Sequence, residues 1–103
     1  MKQIIISYNL ADGVTDADFQ NWVKTFDQPN MRSLKRVKSF RTFNNIALLM
    51  GDGAPRFSYV EIFDIEDFDG FLNEDMASEL VQKVMGQFMP HVKDVEFAIA
   101  NEI

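Results

Sequence analysis

Cysteine is absent from the 103 residues, and histidine occurs once. The first absence excludes a disulfide framework and thiolate chemistry, the second excludes most zinc sites, and no metal or other cofactor is expected. No phosphate-binding loop or nucleophile signature appears, and no apolar run approaches membrane-spanning length. The N-terminal Met-Lys-Gln-Ile-Ile-Ile-Ser also lacks the apolar run and small-residue cleavage site of a secretory signal, so a cytoplasmic protein is expected. Acids are missing from Gln28 to Gly51, where Arg32, Lys35, Arg36, Lys38 and Arg41 stand. Bases are missing from Glu61 to Glu79, where eight acids stand.

A net charge of −6 disfavours nucleic acid. The charge blocks read either as solvated rims or as a basic edge that steers an anionic substrate or an acidic carrier protein. In the second case the acidic segment is its counterpart in another subunit. What the chain has in excess is hydrophobic: 47% of residues, with ten Phe, six Met, Trp22, Tyr8 and Tyr59. One domain over residues 1–103 can bury roughly two thirds of its unfolded surface. Aromatic and Met-rich interiors suit a cavity for a flat apolar ligand as well as they suit plain packing.

The chain is organised around Arg56 to Asp64, where β-branched and aromatic residues predict a strand. Alternation puts Phe57, Tyr59, Glu61 and Phe63 on one face, with Val60 and Ile62 on the other, so both faces want cover. Lys2 to Tyr8 predicts a first strand. Thr15 is a fitting N-cap for a helix to about Asp27 with an apolar stripe of Phe19, Trp22, Val23 and Phe26, which Pro29 should end. Val37 to Phe43 alternates as a strand. Ile46 to Met50 is an apolar run in a connection, expected at a subunit interface. Asp64 should cap a short helix, a longer one should start near Met76, Pro90 should disrupt its last turn, and Asp94 to Asn101 should be the last strand.

The order β-α-β-β-α-β predicts an α+β, ferredoxin-like fold: a four-stranded antiparallel sheet with helices on one face. The second face is left apolar, and a homodimer packed sheet against sheet is the expected solution. The small residues Ala98 and Ala100 would let another sheet approach closely.

This arrangement is similar to the dimeric α/β barrel superfamily. Ser39 to Asn45, Arg56 to Asp64 and Met89 to Phe97 resemble the RedY-like (HapK) proteins of prodiginine (prodigiosin) pigment biosynthesis. The resemblance spans the chain. It implies a role in forming the bipyrrole intermediate by ring-closing condensation and dehydration on an apolar pyrrolic ligand. Haem-degrading relatives use Trp and His around their ligand, but here the sole Trp is on the first helix, against a haem reading.

Two groups are candidates for acid/base chemistry. His91 is the one side chain of a type whose ordinary pKa lies near neutrality, and it follows the long helix, whose C-terminus favours an imidazolium. Glu61 lies in an apolar strand, where burial would raise its pKa, unless it pairs with Arg41 or Lys38 on the neighbouring strand. Tyr8 and Tyr59 could orient a ligand; Trp22, Phe40, Phe57 and Phe88 could wall it; Arg41 could clamp a carboxylate or phosphate. All these aromatics are equally explained as core. The expected enzyme acts by dehydrative condensation without cofactor; the alternatives are a binding protein that shelters a pyrrole and a cofactor-free monooxygenase.

Overall fold

The computed structural model describes residues 1–103. Four strands, β1 (Lys2–Leu10), β2 (Val37–Asn44), β3 (Tyr59–Ile65) and β4 (Val92–Asn101), form one sheet in the order β2-β3-β1-β4 with every neighbouring pair antiparallel. This is the ferredoxin-like α+β arrangement expected from the element order. In β3 the alternation holds residue by residue: Tyr59, Glu61, Phe63 and Ile65 are buried under the helices, while Val60, Ile62 and Asp64 face the open side.

β3 starts later than Arg56. Beyond one backbone bond, from the Asn45 N–H to the Ser58 carbonyl at 2.7 Å, the residues before it are held by side chains: Asn9 Oδ1 accepts from the Ser58 N–H at 2.9 Å, and Asn45 Nδ2 donates to the Phe57 carbonyl at 2.9 Å. Phe57 therefore lies outside the strand and does not continue the Tyr59 face, contrary to expectation.

The first crossover runs further than the sequence suggested. α1 (Asp16–Trp22) is capped by Thr15, whose Oγ1 accepts from the Asp18 N–H at 3.2 Å. A wide π turn, Val23–Asp27, then leads into α2 (Gln28–Arg32). In that turn the Gln28 N–H reaches back five residues to the Val23 carbonyl. Pro29 falls in the first turn of α2, where a missing N–H costs nothing, so it does not stop the chain's helical course.

The second crossover also departs in detail. Asp67, not Asp64, caps α3 (Phe68–Gly70), because β3 runs through Ile65. A second π turn, Phe71–Asp75, follows, and Ser78 caps α4 (Glu79–Phe88) by accepting from the Val81 N–H at 3.3 Å. Pro90 ends α4 as expected, in a short 3₁₀ turn, Met89–His91. Phe19, Val23 and Met31 from the first crossover, with Val81, Val84 and Phe88 from α4, bury Ile6, Tyr8, Phe40 and Phe63 of the sheet.

The charge blocks meet within one chain at Arg36 and Lys38. Arg36 holds Asp67, Glu74 and Asp75 at 3.0, 2.9 and 3.1 Å, and Lys38 holds Glu66 at 2.8 Å. The open sheet face carries Ile5, Val60, Ile62, Phe43, Ala98 and Ala100, bordered by Arg41, Glu96 and a Gln3–Asp64 hydrogen bond of 3.0 Å.

Candidate functional site

Between the sheet and the helices lies a cleft of about 400 Å³ lined only by hydrophobic residues. A volume of roughly 300–1,000 Å³ is usual for small-molecule sites. Ile4, Ile6 and Phe63 form its floor, Met31 and Phe71 one wall, and Phe97 and Ile99 of the edge strand its mouth. The last two point to the helix side of β4, yet remain 48% and 63% exposed because no helix reaches that edge. The Met content that suggested an adaptable cavity is concentrated here, in Met31, Met76 and Met85.

Next to Ile6 and Phe63 in the sheet, but outside the lining of the cleft, is a buried carboxyl pair. Glu61 is 2% exposed and Asp27 is 3% exposed, and their carboxyl groups are in hydrogen-bonding contact. Tyr8 donates to Glu61 Oε1 at 2.8 Å. Burial raises the Glu61 pKa well above its ordinary value, and the charge on Asp27 raises it further; the hydrogen bond from Tyr8 opposes this. Asp27 is pushed up to about 7 by burial, against the opposing charge of Arg32 and the hydrogen bond from Glu61. Side by side and buried, the two carboxyl groups hold a proton between them. Burial and the Glu61 charge also raise the Tyr8 phenol. Near neutrality the pair offers one carboxylic acid and one carboxylate side by side, which is the equipment for moving a proton in each direction.

On the far side of the pair is a polar pocket of about 270 Å³, lined by Gln20, Lys24, Gln28, Thr42, Asn44 and Tyr59 among others. Tyr59 donates to Asp16 Oδ1 at 2.6 Å, accepts from Gln20 Nε2 at 3.1 Å, and stacks on Tyr8 with ring centroids 5.7 Å apart.

The structure separates the residues singled out in the sequence. Glu61, Tyr8 and Tyr59 come together. Glu61 has no cationic partner: Arg41 is on the opposite sheet face, over the Phe43 ring, and Lys38 is taken by Glu66. Arg41 instead lines a separate hollow along β2 with Arg32, Lys38 and Phe40, apart from the carboxyl pair. His91 lines neither the cleft nor the polar pocket. Its ring stacks on Trp22 with centroids 5.3 Å apart, and its Nδ1 is 2.5 Å from the Gln87 carbonyl, which can only accept, so Nδ1 carries a proton. Trp22 donates to Gln87 Oε1 at 2.8 Å in the same cluster. Phe40 is buried in a stack on Phe63 with centroids 4.0 Å apart, and Phe88 meets the Tyr8 ring edge-on. These rings hold the site from outside it.

Asp27 was not found in the sequence. The signal was present: Phe19, Val23, Asp27 and Met31 recur every four residues, and all four are buried. A carboxylate in the middle of a buried stripe is the mark that was missed.

A family description, REDY-like protein HapK, matches residues 2–103. No curated protein sequence matches the chain. Among solved structures, HapK from Hahella chejuensis superposes with a TM-score of 0.80 at 24% identity, covering 100% of this chain and 93% of that one. Hydroxynitrile lyase from Passiflora edulis gives a TM-score of 0.81 at 14% identity over 99% of this chain and 94% of that one. A dimeric ferredoxin-like protein of unknown function from Thermobifida fusca gives 0.75 at 16% identity over 97% and 90%. At these identities the structural likenesses establish the fold alone. The match over residues 2–103 does more: the chain belongs to the RedY-like HapK family.

Proposed function

We propose that this protein is a cofactor-free enzyme of prodiginine-type pigment biosynthesis that assists bipyrrole formation by acid/base dehydration of an apolar pyrrolic precursor. The observation that supports this reading is the buried Asp27–Glu61–Tyr8 cluster beside a wholly apolar cleft, with Glu61 adjoining the cleft residues Ile6 and Phe63 in the sheet. In the dehydration step, the Glu61 carboxylic acid gives its proton to the departing hydroxyl, which leaves as water as the C–O bond breaks. The Asp27 carboxylate takes a ring C–H or N–H proton as the new double bond forms. One proton then passes between the two carboxyl groups and restores the starting pair, so the net change is loss of one water. The cleft supplies a dry surface for the ring, and Tyr8 fixes the orientation of Glu61.

The experiment is incubation of the protein with the linear precursor, following bipyrrole formation by mass spectrometry. Acceleration over buffer that disappears in Glu61→Gln supports the reading. Retention of the precursor without acceleration replaces it with the sheltering role.

We also propose that two copies associate through their open sheet faces. A continuous apolar centre of Ile5, Val60, Ile62 and Phe43 favours this, with Ala98 and Ala100 beside it. The exposed Ile46, Leu49 and Met50 extend the apolar surface. The Thermobifida fusca neighbour is described as dimeric.

A further inference from the structure

The open sheet face is unequal at its two edges. Across its middle the row reads Arg41, Ile62, Ile5 and Ala98, and the row beside it runs from Phe43 on β2 to Glu96 on β4. The β2 edge thus carries large side chains and a cation, while the β4 edge carries small side chains and an anion. Neither Arg41 nor Glu96 has an ion-pair partner within the chain.

Two copies can lay these faces together about a two-fold axis that runs across the strands or along them. The axis across the strands sets β2 on β2, with guanidinium near guanidinium, and leaves alanine opposite alanine at the other edge. The axis along the strands sets the β2 edge of one copy over the β4 edge of the other. Phe43 and Arg41 then fill the room above Ala98 and Ala100, and Arg41 comes beside Glu96 of the second copy. Only this second arrangement matches large with small and cation with anion.

It also decides where the connection after β2 goes. β2 ends at Asn44, and Ile46, Leu49 and Met50 follow it, exposed. At the β4 edge of the other copy, Phe97 and Ile99 stand exposed at the mouth of the cleft. Facing sheets lie about 10 Å apart. The segment from Ile46 to Met50 spans roughly 17 Å when extended, enough to pass round an edge strand to its helix side.

We infer that the Ile46–Met50 segment of each copy folds over the β4 edge of the other and closes the mouth of its cleft at Phe97 and Ile99. Neither cleft is complete in a single chain. The inference rests on the association of sheet faces proposed above and adds what that association does to the site. One contact then covers two exposed apolar surfaces, the segment and the cleft mouth.

The chain has no cysteine, so single introduced thiols can report the contact. Leu49→Cys chains are mixed with Ile99→Cys chains, oxidised and run on a non-reducing gel, with sedimentation velocity recording whether the mixture is paired. Leu49→Cys mixed with Lys83→Cys is the reference, because Lys83 lies over the Phe26 ring, outside the cleft. Covalent pairs should form roughly 100-fold faster in the first mixture, since paired chains hold neighbouring thiols at about millimolar effective concentration against micromolar for chance collision. Should Leu49→Cys fail to fold, Met50→Cys takes its place. Equal rates in the two mixtures of paired protein overturn the closure and leave the sheet-to-sheet pair standing. Chains that sediment as monomers overturn both.

Discussion

Glu61 and Asp27 confront each other across the helix–sheet boundary with burial on all sides and only Arg32 acting on the pair as a counter-charge. Two adjacent carboxylates cannot both ionise cheaply, so they hold a proton between them into the neutral range. A folded protein keeps such an arrangement only at a cost. The cost appears in how stability varies with pH.

Both pKa values lie above those of the free side chains, 3.8 for Asp and 4.5 for Glu. Between there and about 7 the native state holds protons that the unfolded state releases. The stability contribution is therefore complete at low pH and is lost as pH rises through that window, by on the order of a few kcal/mol. Glu61→Gln and Asp27→Asn should each flatten this dependence and melt several degrees above wild type at pH 8, with the gain absent at pH 5. Turnover should fall by roughly 10²–10⁴-fold in both, the usual worth of a positioned acid or base. Thermal melts at the two pH values alongside rate assays check this. A variant that loses stability at pH 8 and keeps its rate makes the pair structural.

Tyr8→Phe isolates one hydrogen bond, because the ring can remain stacked on Tyr59 and edge-on to Phe88. The bond lowers the Glu61 pKa, so its loss should move the pair's titration to higher pH. The stability change should be about 1 kcal/mol. Carboxyl ¹³C chemical shifts against pH would show the movement, and an unmoved titration would remove Tyr8 from the site.

Most of the fold was legible because period-two and helical spacings are local. Tyr59, Glu61 and Phe63 alternate under a cover that the sequence itself demands. What was not legible depends on pairing between distant segments. Pro29 marks a helix end by local chemistry, yet the π turn before it moves it into a first turn where its missing N–H is harmless. His91 carried the right chemistry for a catalyst, but its place beside Trp22 follows from how α1 meets the end of α4. Asp27 stands where Pro29 predicts a helix end, yet its spacing from Phe19 and Val23 puts it on the buried stripe.

That position of His91 leads to a different expectation for its removal. His91→Ala should keep the protein folded and retain turnover, since the ring is held by Trp22 and the Gln87 carbonyl and does not act on the carboxyl pair. The loss of stacking on Trp22 should cost about 1 kcal/mol and change the Trp22 fluorescence. A folded His91→Ala protein without turnover would return the acid role to the imidazole.

Gly70 is the packing requirement behind the Arg36 hub. A Cβ there would come within 2.2 Å of Asp67 Oδ2 and 2.6 Å of Arg36 Nε, so both side chains would have to move. Asp67 also caps α3 from a left-handed backbone conformation, accepting from the Gly70 N–H at 3.2 Å. Gly70→Ala should lower stability by roughly 1–3 kcal/mol, and the deficit should shrink in high salt, where the ion pairs of Arg36 are already weakened. Denaturant unfolding at low and high ionic strength measures both.

The association of two copies is open to a single substitution at the centre of the exposed sheet face. Ile62 has Ile5 on one neighbouring strand and Arg41 on the other, with Ala98 beyond Ile5. In a facing pair of sheets, Ile62→Asp would bury two carboxylates in an apolar interface, a cost that apolar contact there cannot offset. The side chain points away from the carboxyl pair, so the fold and the cleft should survive. Sedimentation velocity of the wild type should give twice the chain mass, and Ile62→Asp should give the monomer with an unchanged far-ultraviolet dichroism spectrum. A wild type that sediments as a monomer at micromolar concentration sinks the paired-sheet arrangement, whatever the variant does.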